Sequence, residues 1–391
     1  MKKWKFFAVV IFILWSALII SGFALSKSKD EVYRRLKQFT EIMEIIRKEY
    51  VEEVDYDRLI IGAIKGMLQS LDPYSSYLTP DMMKEMEIET KGIFGGIGIE
   101  IGIKDGILTV ISPIEDTPAW KAGLKAGDKI LKINGEPTKG LSLMECVKRL
   151  RGPKGTKVTI TILREGFSEP KDFTIVRDII KIQSVKSKEL EPGYLYLRIT
   201  QFQEETTKDL REAIVVYGKK TPIKGLILDL RNNPGGLLDQ AVGVADLFLK
   251  EGVIVSVKTR GGQELVYQAQ QAGTFPDWPL VVLVNHGSAS ASEIVAGALK
   301  VHRRGVILGA RTFGKGSVQT IIPLEGGAGL RLTTARYFTP DGNSIQDKGI
   351  SPDITFEEEE NSEKEDPLLK KALEYLKVLS IYGNYLKVEN Y

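Results

Sequence analysis

The sequence predicts an α/β protein in which a small β-rich module lies between a helical region and the main sheet. Between positions 179 and 356, short apolar runs alternate with stretches of helical periodicity, which indicates a sheet with crossover helices. Residues 89–178 instead combine alternating apolar positions with Gly-rich and Asn-Gly turns, which is typical of a β-rich domain. Apolar residues at helical spacing before residue 89 and after residue 366 add helices at both ends.

An apolar segment opens the chain. Positions 6–25 are almost uninterruptedly apolar, and at about 1.5 Å per residue they are long enough to cross a hydrocarbon core of roughly 30 Å. We predict that segment 1–26 is an uncleaved membrane anchor, with a cleaved signal peptide as the alternative, because Ser21–Lys27 offers a poor cleavage site. Three leading lysines favour a cytoplasmic N-terminus.

Amphipathic helices are predicted in the N-terminal region, 27–88, and in the C-terminal segment, 357–391. Apolar residues recur at helical spacing from Leu36 to Tyr50 and again from Leu59 to Leu71. Near the other end an acidic linker precedes Pro367, which opens a helix with leucines on one face. These apolar faces either pack against the rest of the chain or form a homodimer interface, and the sequence does not separate the two.

The β-rich module, 89–178, is predicted from short strands and tight turns. Gly95–Gly98 leads into a strand, and a later strand ends at the Asn134-Gly135 turn. A short helix is predicted at Leu143–Leu150, and Lys157–Arg164 alternates as a further strand.

The α/β core, 179–356, is predicted from short apolar strands. They are Tyr194–Ile199, Ile223–Leu230, Val253–Val257, Leu280–Val284 and Val306–Gly309. Helical stretches around Leu210 and from Leu238 to Leu249 supply crossovers, so the core is predicted to be an α/β sheet.

Composition excludes several classes of function. A net charge of +3 on 391 residues gives no electrostatic footprint for nucleic acid. The single cysteine, Cys146, excludes an internal disulfide framework. Because this cysteine and the two histidines form no metal-ligand spacing, no metal or other cofactor is expected.

Residues 285–319 contain the pattern of a serine nucleophile. A small-residue turn after the strand Leu280–Val284 precedes a helix and holds three serines, Ser288, Ser290 and Ser292. A serine at a helix N-terminus lies beside free backbone N–H groups, which stabilise an oxyanion. Spacing alone does not choose among the three.

Lys315 is the predicted general base. His286 lies in the serine turn itself and His302 about 18 Å along the following helix, so neither histidine is well placed. Lys315 lies between two glycines after the strand Val306–Gly309, and burial would lower its pKa and provide a neutral amine. Gln319, four residues on, would hold that amine by a neutral hydrogen bond.

The same region nearly matches a phosphate-binding loop. Residues 309–316 follow the G-x-x-x-x-G-K pattern, but Gly316 replaces the Mg²⁺-binding hydroxyl. In addition, Val318–Pro323 has the pattern of a strand where that motif requires a helix. Nucleotide binding is therefore not expected.

Several motifs are spread across most of the chain. They are Leu71-Asp-Pro-Tyr-Ser, Gly92-Ile-Phe-Gly-Gly-Ile-Gly, Leu150-Arg-Gly-Pro-Lys-Gly-Thr, Ile199-Thr-Gln-Phe, Leu228-Asp-Leu-Arg-Asn-Asn-Pro-Gly-Gly, Ser288-Ala-Ser-Ala-Ser-Glu and Thr312-Phe-Gly-Lys-Gly-Ser-Val-Gln. Together they resemble the carboxy-terminal processing (tail-specific) serine protease family. The resemblance implies the core fold shared by Clp-type proteases and crotonases.

The resemblance also implies roles for individual residues. Ser290 corresponds to the nucleophile, Lys315 to the general base and Gln319 to the residue that orients the base. The amides of Gly236 and Ala291 would form the oxyanion hole, with Gly235 as the alternative to Gly236.

The β-rich module resembles a PDZ domain. Such domains add an extended peptide to a sheet edge and hold its terminal carboxylate with loop N–H groups. By the resemblance, that loop is formed by Gly95, Gly96, Ile97 and Gly98, and it suits an apolar C-terminal residue. An arginine of this module is linked to activation in the family, which implies that role for Arg151.

These features predict a serine endopeptidase with a Ser-Lys dyad that recognises apolar protein C-termini and cleaves extracytoplasmic proteins. The expected location is the bacterial cell membrane, with a single-pass anchor, or the periplasm or exterior if the first segment is cleaved. Two alternatives remain open. One is an anchored PDZ binding module with an inactive protease core, and the other is an acyl-CoA enzyme of the crotonase type.

Overall fold

The computed structural model describes residues 31–356 and 366–388 of the chain. The predicted anchor, 1–26, and most of the predicted acidic linker lie outside the described residues. Among the helices that are described, none is long and apolar enough to span a membrane.

Helices and strands follow one another in the order that the sequence predicts for an α/β chain. The helices are 31–49 (α1), Tyr56–Gln69 (α2), Pro80–Lys91 (α3), Pro118–Lys121 (α4), Leu143–Leu150 (α5), Thr206–Lys220 (α6), Leu238–Asp246 (α7), Ala291–Val301 (α8) and Pro367–Val388 (α9). The strands are Ser76–Leu78 (β1), Ile93–Gly96 (β2), Ile99–Lys104 (β3), Ile107–Pro113 (β4), Lys129–Ile133 (β5), Glu136–Pro137 (β6), Lys157–Leu163 (β7), Lys171–Val176 (β8), Asp178–Lys181 (β9), Val185–Glu191 (β10), Tyr194–Ile199 (β11), Gly225–Asp229 (β12), Val253–Thr259 (β13), Glu264–Gln268 (β14), Leu280–Val284 (β15), Val306–Gly309 (β16), Ser317–Pro323 (β17), Gly329–Phe338 (β18) and Ile354–Thr355 (β19).

The chain divides into two compact units. One comprises Met1–Tyr77 with Leu330–Leu332, and the other comprises Leu78–Gly329 with Thr333–Tyr391. In the first unit α1 and α2 confirm the two predicted helices. The Tyr56 hydroxyl at the start of α2 donates to the Glu44 carboxylate of α1, which ties these helices together.

In the second unit the main sheet has the order β10-β11-β12-β15-β16-β19. β10 is antiparallel to β11, and all other neighbours are parallel. Every residue of β12 and β15 is buried, as expected for parallel strands covered on both faces. The alternation of strands and helices in the sequence therefore predicted an α/β sheet correctly, but the predicted strand Val253–Val257 belongs to a second sheet as part of β13.

Helices cover both faces of the main sheet. On one face α6, α7 and α8 pack against residues such as Leu228. On the other face α9 packs Leu368, Ala372 and Leu376 against residues such as Ile227. Leu228 and Ile227 are neighbours in β12, so their side chains point to opposite faces of the sheet. Each helical layer therefore packs against alternate residues of the strand.

A second sheet completes the core near the lysine predicted as the base. β18 pairs with β17 and with β13, and β13 pairs antiparallel with β14. The Tyr337 N–H of β18 donates to the Gly316 carbonyl at 2.7 Å, which brings β18 beside the loop that precedes β17. Residues Ser317–Pro323 form a strand, so the helix required by a phosphate-binding loop is absent from this described segment.

The β-rich module contains a sheet in the order β3-β4-β5-β7-β8. Val158, Ile160 and Ile162 of β7 are fully buried in its core, which confirms the predicted alternation there. β3 lies at one edge of the sheet and contacts α5. An antiparallel ribbon of β2 and β9, with Ile93 opposite Lys181, joins the two ends of the module.

Helix α3 was missed in the sequence, although its ends carry ordinary helix signals. The Thr79 hydroxyl caps the first turn by accepting from the Met82 N–H, and Pro80 occupies the first turn. Gly92 ends the helix at φ 66°, in the left-handed region that favours glycine. The predicted module boundary at residue 89 falls inside this helix.

Candidate active site

The serine turn connects the end of β15 to the start of α8. Ser290 immediately precedes α8 and has φ 53° and ψ −112°, which is unusual for a residue with a side chain. Such backbone strain persists only where the surrounding contacts enforce it, and it is concentrated at functional sites.

The three serines of the turn have different surroundings. The Ser288 hydroxyl donates to the Leu230 carbonyl at 2.8 Å, and the Ser292 hydroxyl donates to the Asn233 carbonyl at 3.0 Å. Both side chains are fully buried, whereas Ser290 is 8% exposed. The three serines, which their spacing does not separate, therefore differ in their hydrogen bonds. The hydroxyls of Ser288 and Ser292 donate to backbone carbonyls that follow β12.

Tyr337 of β18 lies against the Ser290 side chain. Burial raises the pKa of the Tyr337 phenol to about 12, and a hydrogen bond with the Ser290 side chain opposes this shift. The sequence analysis did not identify Tyr337, because it lies on a strand of the second sheet, 47 positions from Ser290 in the chain.

Glu293 joins the serine turn to the lysine loop, Thr312–Gly316. One carboxylate oxygen, Oε2, accepts from the Ser290 N–H at 2.8 Å and from the Lys315 N–H at 2.9 Å. The other, Oε1, accepts from the Thr312 hydroxyl at 2.5 Å and from the Gly314 N–H at 2.7 Å. Since the amides of Ser290 and Lys315 share one acceptor atom, the two residues are neighbours in space.

The Glu293 side chain is fully buried. Burial raises the pKa of this carboxyl, and the hydrogen bonds from Thr312, Gly314, Ser290 and Lys315 oppose the shift. Glu293 was not predicted as a site residue. The signal was the Ser-x-x-Glu spacing from Ser290, since such a Glu commonly accepts from the N-cap amide.

Gln319 lies in β17, on the strand that follows the lysine loop. Its side-chain nitrogen donates to the hydroxyls of Ser317 and Thr333 at 3.0 and 3.2 Å. These bonds fix the orientation of the amide and leave its carbonyl oxygen as the side-chain atom that can accept a hydrogen bond.

The Gly235-Gly236 turn follows β12 and lies against Ser290. A β-carbon on Gly235 would lie 2.8 Å from Ser290 Cβ and 3.1 Å from the Ala291 nitrogen, so only glycine fits there. The Gly235 N–H already donates to Asn233 Oδ1 at 2.9 Å. Among the described residues, the N–H groups of Gly236 and Ala291 have no acceptor, so these two predicted donors are available.

The histidines lie outside this cluster. His302 at the end of α8 has its Nε2 2.7 Å from the Val253 carbonyl oxygen. His286 lines a cavity of about 330 Å³ that Asn232 and Phe356 also line. Within the described parts of the chain, no cluster of His, Cys, Asp or Glu side chains could hold a metal ion.

The predicted carboxylate loop leads from β2 to β3. Gly95 and Gly96 pack closely, since a β-carbon on Gly95 would lie 2.2 Å from the Gly152 carbonyl oxygen. Gly98 has φ 79°, and a β-carbon there would collide with Thr117. The N–H groups of Ile97 and Gly98 have no acceptor among the residues that the structure covers.

A small apolar cavity lies beside this loop. Its volume is about 70 Å³, and its lining comes from the loop, β3 and α5. At the end of α5 the Arg151 guanidinium lies 4.6 Å from the centre of the Phe94 ring and pairs with Glu85 of α3 at 2.5 Å. The groove thus combines free amides at its end with an apolar floor.

Family models match three parts of the chain. Residues 193–356 match peptidase family S41, and residues 109–164 match a PDZ domain. Residues 21–82 match the N-terminal domain of the activating protease CtpB.

Whole-chain relatives agree with these matches. A carboxy-terminal-processing protease of Bartonella bacilliformis is 48% identical over 361 residues, covering 91% of this chain and 83% of the relative. The carboxy-terminal processing protease CtpA of Bacillus subtilis is 39% identical, covering 90% of this chain and 74% of the relative. A putative S41 protease structure from Bacteroides fragilis has the same fold, with a TM-score of 0.50 at 16% identity over 86% of this chain and 96% of that one.

The relatives favour a peptidase over the acyl-CoA enzyme and the inactive binding module. The chain therefore belongs to peptidase family S41 and is a serine-type carboxy-terminal processing peptidase with a PDZ domain.

Proposed function

We propose that the chain cleaves proteins with a Ser290–Lys315 dyad after binding their C-termini in the PDZ domain. One observation carries the assignment of the nucleophile. Ser290 alone among the three serines of its turn has a hydroxyl that does not donate to a backbone carbonyl, and it adjoins the free amides of Gly236 and Ala291.

The proposed reaction is an acyl transfer. Neutral Lys315 takes the proton of the Ser290 hydroxyl as Oγ attacks the scissile carbonyl. Amides of Gly236 and Ala291 donate to the oxyanion, and the protonated lysine passes its proton to the leaving amine. Lys315 then deprotonates the water that releases the acyl group, while the Gln319 carbonyl oxygen orients the lysine amine.

Substrate recognition is assigned to the groove between β3 and α5. An extended C-terminal peptide would add to the edge of β3, with its carboxylate on the amides of Ile97 and Gly98 and its last apolar side chain in the cavity. Gly95 and Gly96 allow the close packing that shapes the loop. Arg151 lies beside this loop and pairs with Glu85, which supports a role in coupling peptide binding to activity.

The proposal extends to location and assembly. Segment 1–26 would anchor the enzyme in a bacterial membrane and place its catalytic part outside the cytoplasm, or would be cleaved to release it. Leu36 and Phe39 on α1 are 56% and 41% exposed, which supports contact with a second copy through the N-terminal helices.

The test compares full-length wild type with Ser290→Ala and Lys315→Ala on an unstructured protein that ends in an apolar residue. We expect cleavage to disappear in both variants, and the wild-type rate to rise between pH 6 and 10 with a midpoint well below the ordinary lysine value of about 10.4. The exposed Lys219→Ala serves as the matched lysine control.

Two outcomes would reject parts of this proposal. Wild-type cleavage rates in Ser290→Ala would exclude Ser290 as the nucleophile. Unchanged cleavage in Lys315→Ala, with Ser290→Ala inactive, would leave the nucleophile in place and exclude the lysine as the base.

A further inference from the structure

A serine and a lysine that act together must be held at a fixed distance and orientation. Ser290 precedes α8, whereas Lys315 lies in a separate loop after β16. A displacement of about 1 Å between reacting groups can lower a rate by about 10²-fold. The fold therefore needs an element that fixes the distance between the serine turn and the lysine loop.

We propose that Glu293 is the positioning residue that holds the two halves of the dyad together. This inference rests on the proposed dyad. The Glu293 carboxylate accepts one hydrogen bond from the serine turn and three from the lysine loop, all between 2.5 and 2.9 Å. Its Oε2 atom bridges the backbone amides of the two dyad residues directly.

A carboxylate suits this place for a chemical reason. Three of the four partners are backbone N–H groups, which only donate, and an ionised carboxylate has two acceptor oxygens to receive all four bonds. A glutamine would turn an NH₂ group toward two of these donors and leave them unpaired. The position in the first turn of α8 adds the favourable end of the helix dipole.

The bonds to Glu293 also direct the chemistry of the turn. The Ser290 N–H is occupied by Oε2, so it does not compete for the oxyanion, which is left to Gly236 and Ala291. The same bond supports the strained Ser290 backbone at φ 53°. Glu293 thus supports the backbone that carries the hydroxyl and removes the Ser290 N–H from the donors available to the oxyanion.

The lysine loop is held from its other side as well. The Ile350 N–H donates to the Thr312 hydroxyl at 2.7 Å, and the Gly316 N–H donates to Gln346 Oε1 at 3.1 Å. The two segments are also joined directly, since the Phe313 N–H donates to the Ser288 carbonyl at 3.0 Å. Glu293 is the link that reaches the amides of both dyad residues, and its loss should change their relative position more than their folding.

The experiment measures kcat and KM of full-length Glu293→Gln on the same test protein, with the labelling rate of Ser290 by a fluorophosphonate. We expect kcat and the labelling rate to fall by about 10²-fold, and KM to stay within about twofold because the change removes no group that is assigned to peptide binding. Glu293→Asp, which keeps the charge on a shorter side chain, should recover part of kcat. Exposed Glu251→Gln is the matched control.

A folded Glu293→Gln with kcat within about threefold of wild type would overturn the inference. If that variant does not fold, Thr312→Val is compared with Gln346→Ala. Thr312→Val removes one of the four donors to Glu293 but also the acceptor of the Ile350 N–H, whereas Gln346→Ala removes a bond only on the other side of the lysine loop. A kcat that falls more in Thr312→Val than in Gln346→Ala, at constant KM, supports the inference, and an equal or unchanged kcat overturns it. Failure of the dyad itself is recognised separately, since Ser290→Ala would then cleave like wild type.

Discussion

At the scale of residues, the candidate site depends on a glycine that no larger residue can replace without moving the backbone. Gly236 has φ 141°, and a β-carbon there would lie 2.2 Å from the Phe202 carbonyl oxygen. The Phe202 carbonyl also accepts from the Leu237 N–H at 2.9 Å, so this backbone cannot move away without losing a bond. Any larger residue at 236 must therefore turn the N–H that is proposed to face the oxyanion.

The first prediction concerns Gly236→Ala. We expect kcat to fall by at least about 10²-fold, as for the loss of one oxyanion donor, and the free energy of unfolding to fall by about 1–3 kcal/mol from backbone strain. Steady-state kinetics and thermal unfolding measure the two effects. Gly261→Ala, where a β-carbon would meet nothing closer than the Thr259 hydroxyl at 4.0 Å, is the control. Wild-type kcat in Gly236→Ala would exclude this amide from the oxyanion hole.

The second prediction concerns Tyr337→Phe and pH. Because the pKa of Tyr337 is raised to about 12, its phenol stays neutral between pH 6 and 10 and contributes no ionisation to the rate there. Loss of its hydrogen bond to Ser290 should lower kcat by about 2- to 10-fold. The midpoint of the pH–rate profile should not change. A shift of that midpoint by more than about half a pH unit would show that Tyr337 acts on the base.

The residues of the site differ in how well the sequence predicts them. Ser290, Lys315 and Gln319 lie in short motifs, so a family resemblance places them together. The Ser-x-x-Glu spacing indicates Glu293 as a capping residue. Its bonds to the lysine loop could not be predicted, because they depend on how the chain after β16 packs against the start of α8. Tyr337 carries no motif, because only the pairing of β18 with its neighbours brings it to Ser290.

At the scale of elements, the start of α9 is joined to the end of β12 by ionic bonds. Arg231 follows β12 and bonds to the buried Asp229 and to Asp366, with Nη2 2.7 Å from a carboxylate oxygen of each. The Tyr196 hydroxyl also donates to Asp229 at 2.8 Å. Since Arg231 lies in the same turn as Gly235 and Gly236, the C-terminal helix supports the segment that contains Gly236, one of the two proposed oxyanion donors.

The third prediction concerns Asp366→Asn. Burial raises the pKa of Asp366, but the bonds from Arg231 and the Leu369 N–H outweigh it and leave the pKa below its usual value. Such a carboxyl adds stability above its unfolded pKa of about 3.9, and that stability is lost as the pH falls through the folded value.

We therefore expect Asp366→Asn to lower stability at pH 7 by about 1–2 kcal/mol, near the lower end for charged hydrogen bonds because Asp366 is 38% exposed. As the pH falls below the unfolded pKa and through the lower folded pKa of Asp366, the difference between variant and wild type should shrink toward zero. Thermal unfolding at pH 7 and at steps from about pH 4 down to about pH 2 measures both. The exposed Glu374→Gln on the same helix should change stability by less than about 0.5 kcal/mol. An equal effect of the two substitutions would contradict the ionic link.

Elements were predictable where burial imposes a simple pattern. The strands Tyr194–Ile199, Leu280–Val284 and Val306–Gly309 and the helix Leu143–Leu150 have the predicted bounds, because each is a continuous or strictly periodic apolar run. Helix α3 lacks any buried residue, so it gives no apolar periodicity and only its caps reveal it.

At the scale of the whole molecule, the peptide groove and the serine turn belong to the same compact unit. The PDZ domain is joined to the protease core by the β2–β9 ribbon, and Arg151 ties it to α3 by pairing with Glu85. In the proposed function, substrate binding and cleavage use separate sites, so changes in the groove should alter KM and changes at the dyad should alter kcat.

The fourth prediction uses this separation. A test protein whose C-terminal carboxylate is converted to an amide should show a KM raised by about 10-fold or more, because charge-assisted bonds to the amides of Ile97 and Gly98 are lost. Its kcat at saturation should be unchanged. Steady-state kinetics with the two substrates provide the measurement. Equal KM values for the two substrates would mean that the PDZ domain does not bind the terminal carboxylate.

The arrangement of the three serines has a practical consequence for counting active molecules. Chemical modification of a turn with serines at every second position would ordinarily give a mixture of products. Here two of the hydroxyls are enclosed and directed at carbonyl oxygens, so within this turn a hydroxyl-directed reagent has a single reachable target. The adduct stoichiometry then equals the fraction of chains that hold a correctly assembled site, which makes intact-mass spectrometry a titration of active enzyme before any substrate is known.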